Sequence, residues 1–239
     1  FDSVDKVSLK YLAQVKYNIV TSEKQKIFFI KNLYLDNTVA QEILLFNENY
    51  CLTKTRIKKD SKLYDFGILG RFSEEKQFEH AINVIANLRN IGRDSTLIIK
   101  GGCDKEYFRF LSNLVINKKL EDLVTLVYDE VPYDMVYDFF DNFNCFLITS
   151  KYEGGPNVGL EIMAYGLPIL SYDVGAMTDR LLNFREFIAT DENDLTKKAT
   201  DILNYNDDEF VEICIKVKKE YINKFSNNFK ISFLRDFLN

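Results

Sequence analysis

Four charged residues in two short segments carry the clearest chemical signal. The first segment is Ser150-Lys-Tyr-Glu153-Gly-Gly-Pro-Asn157-Val-Gly-Leu-Glu161. An apolar run ends there, Gly154 and Gly155 let the backbone pass close to a ligand, and Pro156 suits the first turn of a helix. The free amides of Asn157 and Val158 then face a cleft, where the helix dipole favours an anion such as phosphate. Glu153 precedes that helix and Glu161 lies inside it. A carboxylate accepts well from paired sugar hydroxyls, so two of them around an anion site suggest a phosphate flanked by two sugars. The plainer alternative is that Glu153 complements the helix dipole and Glu161 is a surface residue. The second segment, Gly70-Arg71-Phe-Ser-Glu-Glu-Lys76, puts two cations just past another apolar run. Arginine grips a diphosphate with its fork and lysine adds a point charge, although alone such a pair is as readily a solvated loop.

Both segments need a scaffold that brings them to one edge. Short apolar runs predict strands over 64–69, 96–99, 123–127, 145–149 and 168–171, with a short sixth at 187–188. Helical periodicity falls between them, over about 74–91, 104–118, 133–141 and 156–165. Strands alternating with helices describe an α/β fold, a doubly wound parallel sheet that binds ligands at the carboxyl ends of its strands. Gly101 and Gly102 stop the second of those strands at the same edge. Residues 1–62 stand outside the repeat. They hold a helix over about 3–17, a strand at 27–30 and a polar, lysine-rich stretch at 53–62, and read as the tail of a preceding domain with a linker. The repeat occupies 63–206. From 207 to 239 the pattern turns helical, with Phe210, Ile213, Val217, Tyr221 and Phe225 in one stripe.

Taken together, the two charged segments resemble the donor-binding C-terminal half of GT-B glycosyltransferases, specifically the large retaining family 4, glycosyl transferases group 1. The resemblance runs from about Asp65 to Asp173. Gly70-Arg71 with Lys76 looks like that family's G-R-x(4)-K, and Glu153 with Glu161 like its two-glutamate signature. Gly166-Leu-Pro168 and Val174-Gly175 match the segment that follows. The resemblance implies the Rossmann-like half of a GT-B fold, with a partial N-terminal segment and C-terminal helices that cross back toward a missing N-terminal domain. It implies that Arg71, Lys76 and Glu153 serve catalysis. The first two would neutralise the donor diphosphate and Glu153 would hold hydroxyls of the transferred sugar. Glu161 would take the ribose, while Gly70, Gly101, Gly102, Gly154, Gly155, Asn157 and Val158 line the donor. The substrate is then a nucleoside-diphosphate sugar, a UDP-sugar being favoured. The sugar passes with retention to a glycan or lipid-linked acceptor held by the N-terminal domain, in cell-surface polysaccharide or glycoconjugate synthesis. The fragment alone would be inactive or weakly active. No cofactor and no metal are expected, because a pair of cations can stand in for a divalent ion. A sugar-nucleotide epimerase or phosphorylase of the same fold, or a non-catalytic docking domain, are the alternatives. Five positions depart from the family pattern: Gly155 where an aromatic is frequent, Gly159 where Leu is, Ala176 for a usual glycine, Asp179 for Glu, and Glu186 where a glycine is expected just before Phe187.

Composition narrows the field. With 31 Lys+Arg against 36 Asp+Glu the net charge is −5, which speaks against a nucleic-acid partner. The single histidine, His80, rules out histidine-rich zinc sites and reads as an exposed, inert residue. Cys51, Cys103, Cys145 and Cys214 are far apart, without a C-x-x-C pair, which fits a reduced, cytoplasmic chain with no disulfide framework. No apolar run approaches a membrane span. Family resemblance implies work at the inner membrane face through peripheral association of the whole protein. Tyr152 reads as a core aromatic, the alternative being that it packs over the sugar pocket, and Arg56-to-Lys62 as a solvated linker rather than an anionic-membrane contact.

Overall fold

The computed structural model describes residues 6–42, 48–53, 63–132 and 135–226. The N-terminal segment runs α1 (Lys6–Gln14), β1 (Asn18–Val20), α2 (Glu23–Leu33), β2 (Thr38–Ala40) and α3 (Glu48–Thr53). The repeat follows as β3 (Tyr64–Leu69), α4 (Phe78–Asn90), β4 (Leu97–Gly101), α5 (Lys105–Asn117), β5 (Val124–Tyr128), α6 (Val136–Phe140) and β6 (Phe143–Ile148). It closes with α7 (Asn157–Tyr165), β7 (Ile169–Tyr172), α8 (Met177–Arg180), β8 (Ile188–Ala189), α9 (Glu192–Leu203) and α10 (Asp207–Lys224).

The main sheet has six parallel strands in the order β5-β4-β3-β6-β7-β8. The chain grows outward from β3 in one direction and from β6 in the other, so the switch point lies between these two. That is where open parallel sheets leave a crevice for a ligand. β6 is buried along its whole length, as expected of a strand covered on both faces. Gly67 sits mid-strand in β3 for a steric reason: a Cβ there would come within 2.2 Å of the Phe143 ring on β6. Phe143 also packs edge-on against Phe139 and Phe140, which anchors α6 to the sheet.

Local chemistry sets the helix boundaries. Asp104 caps α5 by accepting from the Glu106 and Tyr107 amides, and Asn206 with Glu209 forms a capping box at the start of α10. The expected stripe on α10 is its inner face, with Phe210, Ile213, Val217 and Tyr221 buried. Lys218 Nζ donates to the Cys51 carbonyl at 3.0 Å and Tyr221 Oη to Glu48 at 2.6 Å, so α10 ties α3 to the sheet domain.

Two expectations are corrected. Residues 27–30 are not a strand but the middle of α2: Ser22 accepts from the Gln25 amide, and Tyr34 closes the helix in the left-handed region. A short apolar run reads equally as strand or helix until its caps are weighed. The strands of that segment are instead β1 and β2, which pair with each other in parallel, apart from the main sheet. Helix α9 was not anticipated, although Asp191 caps it and Leu195, Ala199 and Ile202 bury one face. Most of the lysine-rich stretch, including the Arg56-to-Lys62 linker, lies outside the described residues.

Candidate functional site

Arg71, Lys76, Glu153 and Gly154 meet at one cavity of about 600 Å³ on the carboxyl edge of the sheet. Backbone contacts place them. The Gly70 amide donates to the Lys100 carbonyl at 3.1 Å and the Phe72 amide to the Gly102 carbonyl at 2.7 Å, which carries the turn after β3 along the end of β4. The next turn, Glu74–Lys76, docks on the chain leaving β6. There the Thr149 hydroxyl donates to the Lys76 carbonyl and the Lys151 amide to the Glu75 carbonyl, both at 2.8 Å. These bonds fix Lys76 beside Glu153. The two side chains form an ion pair, both are under one-fifth exposed, and Glu153 also accepts from the Ser150 hydroxyl at 3.0 Å. Arg71 stays 71% exposed, 3.7 Å from Glu75.

The cavity wall also includes Lys24, Lys151, Tyr152, Asp173 and Gly175. Its acids are each matched: Lys24 lies 3.5 Å from Asp173, Arg71 faces Glu75, and Lys76 pairs with Glu153. Lys151 is the surplus cation, with its ammonium 5.2 Å over the Tyr152 ring and no carboxylate partner among the described residues. A larger cavity of about 760 Å³ adjoins, sharing Glu75, Lys151 and Tyr152, but Glu74, Glu79, Asp104 and Glu106 line it. That wall repels a diphosphate, so the smaller, cationic cavity is the candidate anion site.

The other predicted residues do not line this cavity. Gly70 precedes Arg71. Gly101 is required by backbone approach, since a Cβ would lie 1.8 Å from the Gly70 carbonyl oxygen, and a Cβ on Gly102 would meet the Glu130 side chain at 2.6 Å. Gly155 turns toward Arg180 and Thr21. Pro156 is the cap of α7 rather than its first residue, and no side chain caps that end. The Asn157 and Val158 amides therefore stand without partners among the described residues. Glu161 is half-buried in α7 and makes no hydrogen bond or ion pair with a described residue. Burial pushes its carboxyl up to about 7, and burial, followed by that neighbouring charge, pushes the Cys51 thiol up to about 12.

Two smaller readings change. Tyr152 is 68% exposed at the cavity rim, not core. His80 is half-buried and shares a 2.9 Å hydrogen bond with the Tyr172 hydroxyl, so it is not a bare surface residue. Lys24, Lys151 and Asp173 are additions. Asp173 directly follows β7 and Lys151 lies three residues past β6, so both were findable by position, whereas Lys24 sits in a segment assigned to another role. No disulfide joins any of the four cysteines, and of these Cys103 alone is exposed. No described helix is long and apolar enough to cross a membrane.

Residues 53–221 match the family of glycosyl transferases group 1. The chain belongs to that family. It is 29% identical over 113 residues to 2-deoxystreptamine glucosyltransferase of Streptomyces kanamyceticus, which covers 47% of this chain and 28% of that protein. HepE of Anabaena in complex with UDP superposes with a TM-score of 0.80 at 15% identity, covering 98% of this chain and 66% of HepE. An S. aureus TarM variant in complex with fondaparinux, alpha-GlcNAc-glycerol and UDP gives 0.76 at 20% identity, with 98% and 45% covered. Sucrose-phosphate synthase of Thermosynechococcus elongatus gives 0.76 at 18% identity, with 98% and 62% covered. The fold is thus the C-terminal half of a GT-B glycosyltransferase, and the chain spans less than two thirds of each of these proteins.

Proposed function

We propose that the cavity between Arg71, Lys76 and Glu153 binds the diphosphate and transferred sugar of a nucleoside-diphosphate sugar. The whole protein would pass that sugar, with retention, to a glycan or lipid-linked acceptor. The observation that carries the reading is the Lys76–Glu153 ion pair in the wall of a cationic cavity at the sheet's switch-point edge. A lysine already paired with a carboxylate is held in place before the ligand arrives. On binding it divides its protons between Glu153 and the phosphate oxygens, which sets the sugar-binding and phosphate-binding groups side by side.

The chemistry asks for these residue types. As the bond between the anomeric carbon and the phosphate oxygen breaks, its electrons leave with the nucleoside diphosphate. An acceptor hydroxyl then bonds to that carbon from the same face, and its proton passes to the departing phosphate. Arg71 and Lys76, with Lys151 beside them, meet negative charge that is greater in the transition state than in the ground state. That supplies the role a divalent ion plays elsewhere, so the reaction is proposed to need none. Glu153 holds sugar hydroxyls and Glu161 the ribose; Gly154 keeps the wall low where the sugar lies. UDP is the favoured nucleotide, because the HepE and TarM structures hold it.

Calorimetric titration with UDP and UDP-glucose, on the parent chain and Glu153→Gln, tests the reading. Loss of any advantage of UDP-glucose over UDP in the variant, with UDP itself still bound, is expected. Equal loss for both ligands would remove the sugar-binding role. Anomeric analysis of the full-length protein's product by NMR checks retention, and an epimerised donor or a free sugar phosphate would replace transfer with the epimerase or phosphorylase alternative.

A further inference from the structure

Behind the Glu153 loop lies a charged group that the proposed chemistry does not use. Arg180 ends α8 and is only 1% exposed, the largest side chain so completely buried among the described residues. Its Nε and Nη2 donate to the two carboxylate oxygens of Glu42 at 2.7 and 3.0 Å, and its Nη1 donates to the Pro156 carbonyl at 2.6 Å. Glu42 lies just past β2, in the N-terminal segment, and Pro156 caps α7 three residues after Glu153. One guanidinium therefore joins that segment to the loop at the candidate site. The Pro156 carbonyl also accepts from the Gly159 amide at 2.9 Å, so Arg180 grips the group that starts the helix.

Two departures from the family pattern make room for it. A Cβ on Gly155 would lie 2.8 Å from Arg180 Nη2, and one on Gly159 would lie 3.3 Å from Nη1 and 2.7 Å from Met177 Sδ. Larger residues at these positions would occupy the guanidinium's space. Neighbouring contacts run the same way: the Thr21 hydroxyl donates to the Gly154 carbonyl at 3.2 Å, and the Glu23 amide to Asp179 at 2.8 Å.

A buried ion pair adds little net stability over apolar side chains of similar volume, because desolvation offsets the attraction. What a forked guanidinium does that an aliphatic side chain cannot is fix a carboxylate and a carbonyl at once. We propose that Arg180 and Glu42 are positioning residues, a clamp that holds the 153–159 loop and the start of α7 in the geometry the donor meets. The donor part of this statement rests on the function proposed above; the clamp itself does not.

The experiment therefore reads the clamp without ligand. Amide hydrogen exchange is measured on the ligand-free chain and on Arg180→Lys, Glu42→Gln and the double variant Arg180→Met/Glu42→Met, followed by UDP titration of each. Arg180→Ala is avoided because it would strand the Glu42 carboxylate in the interior. The single variants should speed exchange of the Gly159 amide, which donates to the carbonyl that Arg180 grips, by about ten- to a hundred-fold, as for a lost charge-assisted hydrogen bond. Amides of α4 and β6 should keep their protection. The double variant should recover thermal stability yet keep the fast Gly159 exchange and the weakened UDP binding. Unchanged Gly159 exchange in both single variants, acceleration spread evenly over the chain, or a double variant with parental Gly159 exchange would each overturn the clamp. Fast Gly159 exchange in the variants of a parent chain that binds no UDP would support the clamp and sink the donor reading instead.

Discussion

Replacing Glu161 with glutamine tests the electrostatics of α7 through folding stability. Burial raises the Glu161 carboxyl from its ordinary 4.5 to about 7. The folded chain therefore binds this proton more tightly than the unfolded chain does, and holds more of it between those two values. Stability from this group is complete below about pH 4.5 and is lost as pH rises through about 7. Integrated from pH 5 to pH 8, the difference amounts to about 2–3 kcal/mol. Glu161→Gln has no proton to lose. Its stability should fall less over that range, by about 2–3 kcal/mol, and at pH 8 it should exceed that of the parent chain. Urea unfolding followed by circular dichroism at pH 5, 6, 7 and 8 reads both curves, and every other titrating group cancels in their difference. Parallel curves would refute the argument, as would a variant less stable than its parent at pH 8.

Further outcomes follow from particular contacts. Gly101→Ala forces a methyl onto the Gly70 carbonyl oxygen, so urea unfolding should show a loss of about 1–3 kcal/mol, and an unchanged midpoint would contradict the close approach of β3 and β4. Tyr152→Ala should leave stability within about 0.5 kcal/mol, because the ring stands at the cavity rim, and a larger loss by the same assay would return it to the core. Arg71→Ala removes an exposed side chain whose neighbour is Glu75. It should weaken binding of inorganic pyrophosphate in calorimetry without moving the unfolding midpoint, and intact pyrophosphate affinity would detach Arg71 from the anion site.

The sheet was legible because its strands are short apolar runs stopped by glycine, proline or a polar residue. The 64–69 run coincides with β3, and the others shift by one or two residues. The same rule failed at 27–30, where Ser22 and Glu23 already marked a helix start and the apolar residues left none of α2 buried. Of the site, Arg71, Lys76 and Glu153 were legible because each follows a strand end closely enough for backbone contacts to fix it. Lys24 was not, since only tertiary packing of the N-terminal segment brings it to Asp173. Gly155 and Gly159 stood out as departures, but their reason lay in Arg180, a charge that nothing in its own stretch of sequence marks as buried.

Whether the cationic cavity holds a nucleoside diphosphate is decided by thermal unfolding of this chain against UDP, GDP, ADP and CMP, with Lys76→Ala alongside. A ligand at a hundred times its dissociation constant stabilises by about 2.7 kcal/mol, or about 5–11 °C for a chain of this size. One nucleoside diphosphate, UDP, should raise the parent midpoint by that amount and leave Lys76→Ala nearly unmoved. Equal shifts in the two chains, or none with any nucleotide in the parent, would contradict binding there.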